Sequence, residues 1–259
     1  MPKAIGKPVN ALGEFVMSIR VVSFLLMLSL ALQLGCTQEK EPPAVKPLSN
    51  GSNKVEAKKV PVGPNILFEV DGETRKVWVS AEVCRTMGPL EQLLCRKGTK
   101  EHESILFADI DARDLHKALM LARGEPGSPV SFHPEYKAAT GSVIRITLVF
   151  EKDGKKLILP AQDWVRDTKS GKALVHDWVF AGSRFVPDPL NKEKPPIYLA
   201  NEGDVICVSN FESALLDLPI ESSKQNAEVQ FEAFTENIPP DGTKVAVCLE
   251  VIPPKTKKP

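Results

Sequence analysis

The sequence predicts a strand-rich α+β domain: a mainly antiparallel sheet with one well-signalled helix over residues 112–123, in a single domain. Three observations carry this. Ile144, Ile146, Leu148 and Phe150 alternate with Arg145 and Thr147, the period-2 pattern of a half-buried strand. Asp71-Gly72 and Asp153-Gly154 each separate two apolar runs, the short-range signal of a hairpin. Only one stretch, with Leu115, Ala118, Leu119 and Ala122 at i, i+3, i+4 and i+7, shows a helical stripe. One helix among many strands favours an antiparallel α+β or mainly β arrangement.

The amino-terminal region reads as an address. Arg20 is followed by fourteen positions, 21–34, that are apolar except for two Ser and one Gln, and then by Gly35-Cys36. A positive residue, a short apolar run and a small residue mark residues 1–35 as a secretory signal peptide, with Met17 a second candidate start. The run is short for a membrane-spanning helix, which needs about 20 residues. Gly35-Cys36 resembles the lipobox of bacterial lipoproteins, although Gln33 stands where that family usually has Leu. The resemblance implies that Cys36 is lipidated and becomes the mature amino terminus, so that the membrane is the first partner. Ordinary cleavage nearby, giving a soluble exported protein, is the other reading. Residues 36–64 are polar, with five Pro between 37 and 64 and no hydrophobic period, and read as a tether.

Residues 65–253 form the globular part, and 254–259 a basic tail. Ile66, Phe68 and Val70 alternate before Asp71-Gly72, and Val77 and Val79 resume after it. A strand is expected over 105–110. Asp111 stands at the N-cap with Asp114 three residues on, and Gly124 and Pro126 follow as C′ residue and stop. A short second helix is expected at 90–94 or 161–165. Further strands are expected at 143–150, 156–159, 178–180, 205–208, 229–233 and 245–251. About 190 residues suffice for one core.

Lys plus Arg equals Asp plus Glu at 33 each, and removal of 1–35 leaves the chain close to neutral. That balance lacks the basic excess of a nucleic-acid binder. With Cys36 assigned to lipid, Cys84, Cys95, Cys207 and Cys248 are an even set in an oxidising compartment, where disulfides are expected. Three pairings exist; Cys84–Cys95 with Cys207–Cys248 is preferred because each joins segments expected to be neighbours, and the alternative is buried free thiols. No CxxC occurs, which argues against thioredoxin, zinc-ribbon and iron–sulfur patterns.

The densest polar stretch is Lys100-Glu101-His102-Glu103-Ser104. If extended, it sets Glu101 and Glu103 on one face and His102 with Ser104 on the other, as two carboxylates around a cation or an imidazole beside a hydroxyl. Glu101, His102 and Glu103 are therefore the candidate metal ligands, against the commoner reading of a solvated strand end. With four His in the chain, a metal site would lean on carboxylates, which makes a hard cation as plausible as zinc. His176-Asp177, His116 and His133 carry weaker signals, and neither Ser104 nor Ser183 has the surroundings of a nucleophile elbow. Asn201-Glu202-Gly203-Asp204 reads as a turn before a strand, ahead of part of a cation loop, and Trp164, Trp178 and Phe180 as core aromatics or groove lining.

Gly88-Pro89-Leu90-Glu91, 100–104, Trp178-Val179-Phe180-Ala181-Gly182-Ser183, and Gly203-Asp204-Val205 with Ser209-Asn210 occur in the order found in the YdjY-like domain. The chain resembles that family over nearly all of 65–253. The resemblance implies an exported bacterial protein, of a kind abundant in planctomycetes, and implies no particular chemistry. A ferredoxin-like label attaches to some members, but the cysteine spacing of an iron–sulfur site is missing here. Two functional readings follow. The first is a non-catalytic binding or interaction domain, lipid-tethered at a bacterial envelope and open to an envelope protein partner. The second is an envelope metal-binding or redox protein, or enzyme, centred on Glu101-His102-Glu103.

Overall fold

The computed structural model describes residues 57–191, 193–222 and 230–253. The expected signal peptide, Cys36, most of the tether, Val229 and the basic tail lie outside the described residues. In chain order the strands are β1 (Lys58–Gly63), β2 (Ile66–Asp71), β3 (Thr74–Val83), β4 (Gln92–Arg96), β5 (Ser104–Ala108), β6 (Val143–Lys152), β7 (Lys155–Pro160) and β8 (Val165–Asp167). They continue with β9 (Trp178–Phe180), β10 (Phe185–Val186), β11 (Ile197–Tyr198), β12 (Ile206–Cys207), β13 (Leu216–Asp217), β14 (Phe231–Ala233) and β15 (Lys244–Ile252). One α-helix, α1 (Ala112–Leu121), and 3-10 turns at Glu101–Glu103, Ala161–Trp164 and Leu199–Glu202 complete the list.

The local patterns translate directly. β2 and β3 form the hairpin around Gly72, and β6 and β7 pair across Asp153-Gly154. Asp153 (φ 52°) and Gly154 (φ 70°) both take positive φ, as a two-residue turn matched to strand twist requires. Val77 and Val79 of β3, Ile144, Ile146 and Leu148 of β6, and Val245, Val247 and Leu249 of β15 are all buried on the inner face. Asp111 caps α1 by accepting from the Arg113 amide at 2.8 Å, and Leu115, Ala118 and Leu119 are buried against β1 and β2.

Three local expectations need correcting. Arg123, not Gly124, takes the left-handed position after α1 (φ 69°). The Arg123 amide donates to Met120 O at 2.9 Å and the Gly124 amide to Leu119 O at 2.8 Å, a Schellman ending that costs a residue with a β-carbon about 1 kcal/mol. Of the two places offered for a second helix, 161–164 is a 3-10 turn and 92–96 is strand. Lys58–Gly63, read as tether, is strand β1; it is an exposed edge whose lysines, Pro61 and irregular register suit an edge position.

The larger correction concerns the sheet. It is not a mainly antiparallel open sheet but a closed mixed barrel of eight strands, β3-β15-β6-β9-β13-β12-β4-β5. It closes through Glu82↔Phe107 and Val83↔Leu106, which pair β3 with β5. Two of the ring pairings, β4–β5 and β12–β13, are parallel. Alternation reports that one face of a strand is buried, and it reads the same in an open sheet and in a closed one. Closure is decided by non-local pairing, and it leaves the eight-strand ring itself without edges, while β1 and β7 extend beyond it.

The barrel also overturns the expected disulfides: among the described residues Cys84, Cys95, Cys207 and Cys248 are all free. β5 lies between Cys84, which follows β3, and Cys95 on β4. Two strand spacings of about 4.8 Å exceed the Cα separation a disulfide spans. Cys207 on β12 and Cys248 on β15 sit four strands apart in either direction around the eight-strand ring, on opposite sides of the barrel.

Candidate functional site

The stretch 100–104 is not extended. Gly98 (φ 79°) turns the chain after β4, the Thr99 hydroxyl donates to Arg96 O at 2.5 Å, and Glu101–Glu103 form a 3-10 turn before β5 begins at Ser104. The expected alternation of faces is thereby lost, and the side chains diverge. Glu101 accepts from the Gly98 amide. His102 is 74% exposed, with Nε2 3.7 Å from Glu103 Oε2. Ser104 is fully buried and its hydroxyl donates to Leu106 O at 2.7 Å. Among the described residues no group of three or more His, Cys, Asp or Glu side chains is placed to hold a metal ion. His102→Ala is therefore expected to change stability by less than about 0.5 kcal/mol, as for other exposed positions, in a urea titration.

Lys100 turns the other way, into the barrel wall. Its Nζ lies 2.9 Å from Asp204 Oδ1, 3.6 Å from Glu103 Oε1 and 4.4 Å from the centroid of Phe211. Asp204, only 6% exposed, also accepts from Gln92 Nε2 at 3.1 Å and from the Ser213 hydroxyl at 2.5 Å. Burial would lower the Lys100 pKa, but the hydrogen bond to Asp204 and the charges of Asp204 and Glu103 outweigh it and raise it. The Glu91 amide donates to Glu103 O at 3.0 Å, and the Glu91 carboxyl is pushed up by burial and then by the neighbouring Glu103 charge. Gly203 (φ 125°) makes the approach feasible: a β-carbon there would stand 2.7 Å from Thr99 Oγ1 and 2.8 Å from Lys100 Cγ.

The Asn201–Asp204 segment is thus the 3-10 turn Leu199–Glu202 plus the acid that holds Lys100. Asn201 accepts from the Ala112 amide at 2.8 Å and donates to Asp111 at 3.1 Å, locking this turn to the start of α1. Gln92, which the sequence reading does not single out, and Asp204, read there only within a turn or cation loop, are as central as Lys100. Their one sequence signal is that polar residues interrupt or abut apolar runs, Leu93-Leu94-Cys95 and Val205-Ile206-Cys207-Val208.

The remaining candidates are structural. His116 Nδ1 is 2.8 Å from the Tyr198 hydroxyl, which donates to Gly182 O at 2.8 Å; the imidazole therefore donates to Tyr198 and stacks edge-on against Phe180. Burial lowers its pKa. Gln162 Nε2 donates to Asp177 at 2.9 Å and to His176 O at 3.2 Å. The Ser183 hydroxyl donates to Ser213 O at 2.6 Å. Trp164, Trp178 and Phe180 are fully buried, and Trp178 Nε1–H donates to Cys207 O at 2.7 Å, so these aromatics build core rather than groove. Burial pushes Cys84 and Cys248 up to about 12 and raises Cys95 and Cys207, so these thiols stay protonated at neutral pH and are poor nucleophiles.

Among the described residues no helix is long and apolar enough to cross a membrane, a statement that does not bear on strands. Neither the curated proteins nor the solved structures provide a match to this chain. The model of the YdjY domain matches residues 68–250, from inside β2 to inside β15. That span takes in all of the closed barrel but the last two residues of β15, together with the Lys100–Asp204 cluster, and the chain belongs to the YdjY domain family.

Proposed function

We propose that this is an exported bacterial envelope protein, tethered to a membrane by lipid on Cys36, whose barrel binds a ligand or protein partner without transforming it. The observation that supports the binding reading is that the members of the most polar cluster bond mainly to one another. Lys100, Asp204, Gln92, Ser213 and Ser104 each hold a protein partner within the barrel wall. A general acid, base or nucleophile needs reach to a substrate atom, and these groups are committed to one another. The tether reading rests on the apolar run 21–34, Gly35-Cys36 and the polar segment after it.

Fractionation tests the tether. Wild type is expected in the membrane fraction and to incorporate a labelled fatty acid, whereas Cys36→Ser loses the label and leaves that fraction. An unlabelled wild-type protein in the soluble extracytoplasmic fraction would overturn the lipid assignment. Elemental analysis of the purified protein tests the non-catalytic reading against a metal centre. Equimolar metal in wild type, lost in a folded His102→Ala variant, would reverse it.

A further inference from the structure

The barrel has an open cleft of about 800 Å³ at one end, away from the Lys100 cluster, between the start of β3, the end of α1 and the paired strands β6 and β15. Its volume lies within the range of small-molecule sites. Arg75 from β3, Arg123 from the end of α1 and Arg145 from β6 converge on it from three separate stretches of chain, with Val251 among the apolar lining.

Two features bear on these arginines. None of the three lies within 4.0 Å of a carboxylate among the described residues; Arg75 makes a 3.3 Å hydrogen bond to the Glu73 carbonyl only. Of the eight described arginines, Arg113, Arg166 and Arg184 pair with carboxylates, Asp111, Glu232 at 2.9 Å and Glu212; of the five that do not, three line this cleft, the others being Arg85 and Arg96. Arg123, moreover, occupies the left-handed position where glycine is favoured, with Gly124 next in the chain. A cation anywhere in the last helical turn would complement the helix dipole without that strain. Strain retained at a cleft points to a use for the side chain.

The cleft also carries Glu73, Glu125 and Glu250; Lys76 neutralises Glu250 at 3.4 Å, and Glu73 and Glu125 remain as acceptors. We infer that this cleft binds a small organic anion, a carboxylate or phosphate, held by Arg75, Arg123 and Arg145, whose body also carries hydrogen-bond donors facing Glu73 and Glu125. Arginine's planar fork suits both anions. The inference rests on the binding-domain reading and gives it a site and a ligand class.

Calorimetric titration of the full chain with inorganic phosphate, citrate and alanyl-alanine tests it, the three probes separating phosphate, carboxylate, and carboxylate with a donor amine. Wild type is expected to bind at least one saturably, and less tightly as salt is raised. Arg145→Gln and Arg123→Gly are each expected to weaken that binding about tenfold or more, the scale of one charge-assisted hydrogen bond. Arg184→Gln, at a paired arginine elsewhere, leaves it unchanged. Arg123→Gly is also expected to raise the melting temperature, which separates lost binding from lost folding. No saturable binding of any probe at 10 mM, or equal affinity in all variants, would overturn the site. Neither result bears on the fractionation or elemental analysis that tests the wider reading.

Discussion

Lys100→Ala is expected to destabilise the protein by about 3 kcal/mol, the lower end of the cost of leaving a buried charge without its partner. The variant strands Asp204, 6% exposed, with only Gln92 and Ser213 as donors, and brings it and Glu103 together without the cation between them. The Lys100 side chain is 23% exposed, so water can partly replace it, and the lower end of the range is appropriate. For a domain of this size the change corresponds to a fall in melting temperature of about 6–12 °C, at 2–4 °C per kcal/mol. Its pH dependence follows from the raised Lys100 pKa. The contribution is complete below the unfolded value of about 10.4 and fades only as pH rises through the higher folded value, so the gap between variant and wild type closes in strong alkali. Asp204→Asn combined with Lys100→Met should lose less than the two single variants added together, because neither charge is then left alone. A loss below 1 kcal/mol for Lys100→Ala would show that the cluster does not hold the wall together.

How much of this was legible from sequence depends on range. β6, β9 and the β2–β3 hairpin follow from neighbours within ten residues, and so does α1, because Asp111 and the stripe from Leu115 to Ala122 are local signals. Barrel closure is not local. It depends on β3 meeting β5 and on β12 and β13, strands of two residues each, too short to show any period. The same limit explains the cysteines. Cys207 and Cys248 both sit in apolar strands, and only the ring order shows that the barrel stands between them. At the site, the chemistry-rich stretch was visible but the placement of its side chains was not. His102, the most function-like residue type, faces solvent, and Lys100, the least remarked, is the residue that the fold buries and pairs. Its partner lies 104 residues further along the chain, at a position that reads by itself as a turn.

The second large effect is expected in the pH profile of stability and belongs to Asp217. This carboxylate is fully buried on β13, beside Val179 of β9. It accepts from Asn210 Nδ2 at 3.1 Å, from the Leu218 amide at 2.8 Å and from the Phe211 amide at 3.4 Å. Burial nevertheless dominates, and with the Asp204 charge nearby it lifts the pKa to about 7. In the unfolded chain the same group ionises near 3.9. Between those values the native state keeps a proton that the unfolded state has released, so stability falls as pH rises. The full fall, reached above pH 7, is about 4 kcal/mol at 1.36 kcal/mol per unit. His116, whose pKa is lowered by burial, gives the opposite slope below pH 6.5 and cancels when a variant at Asp217 is compared with wild type. Asp217→Asn carries no titrating proton and turns an amide toward backbone donors, a mismatch that costs about 1–3 kcal/mol. Its stability should therefore lie below wild type at pH 4 and at or above it at pH 8, with the two curves crossing between. Parallel curves across that range would show that the three donors hold Asp217 ionised throughout, and that burial at β13 is outweighed.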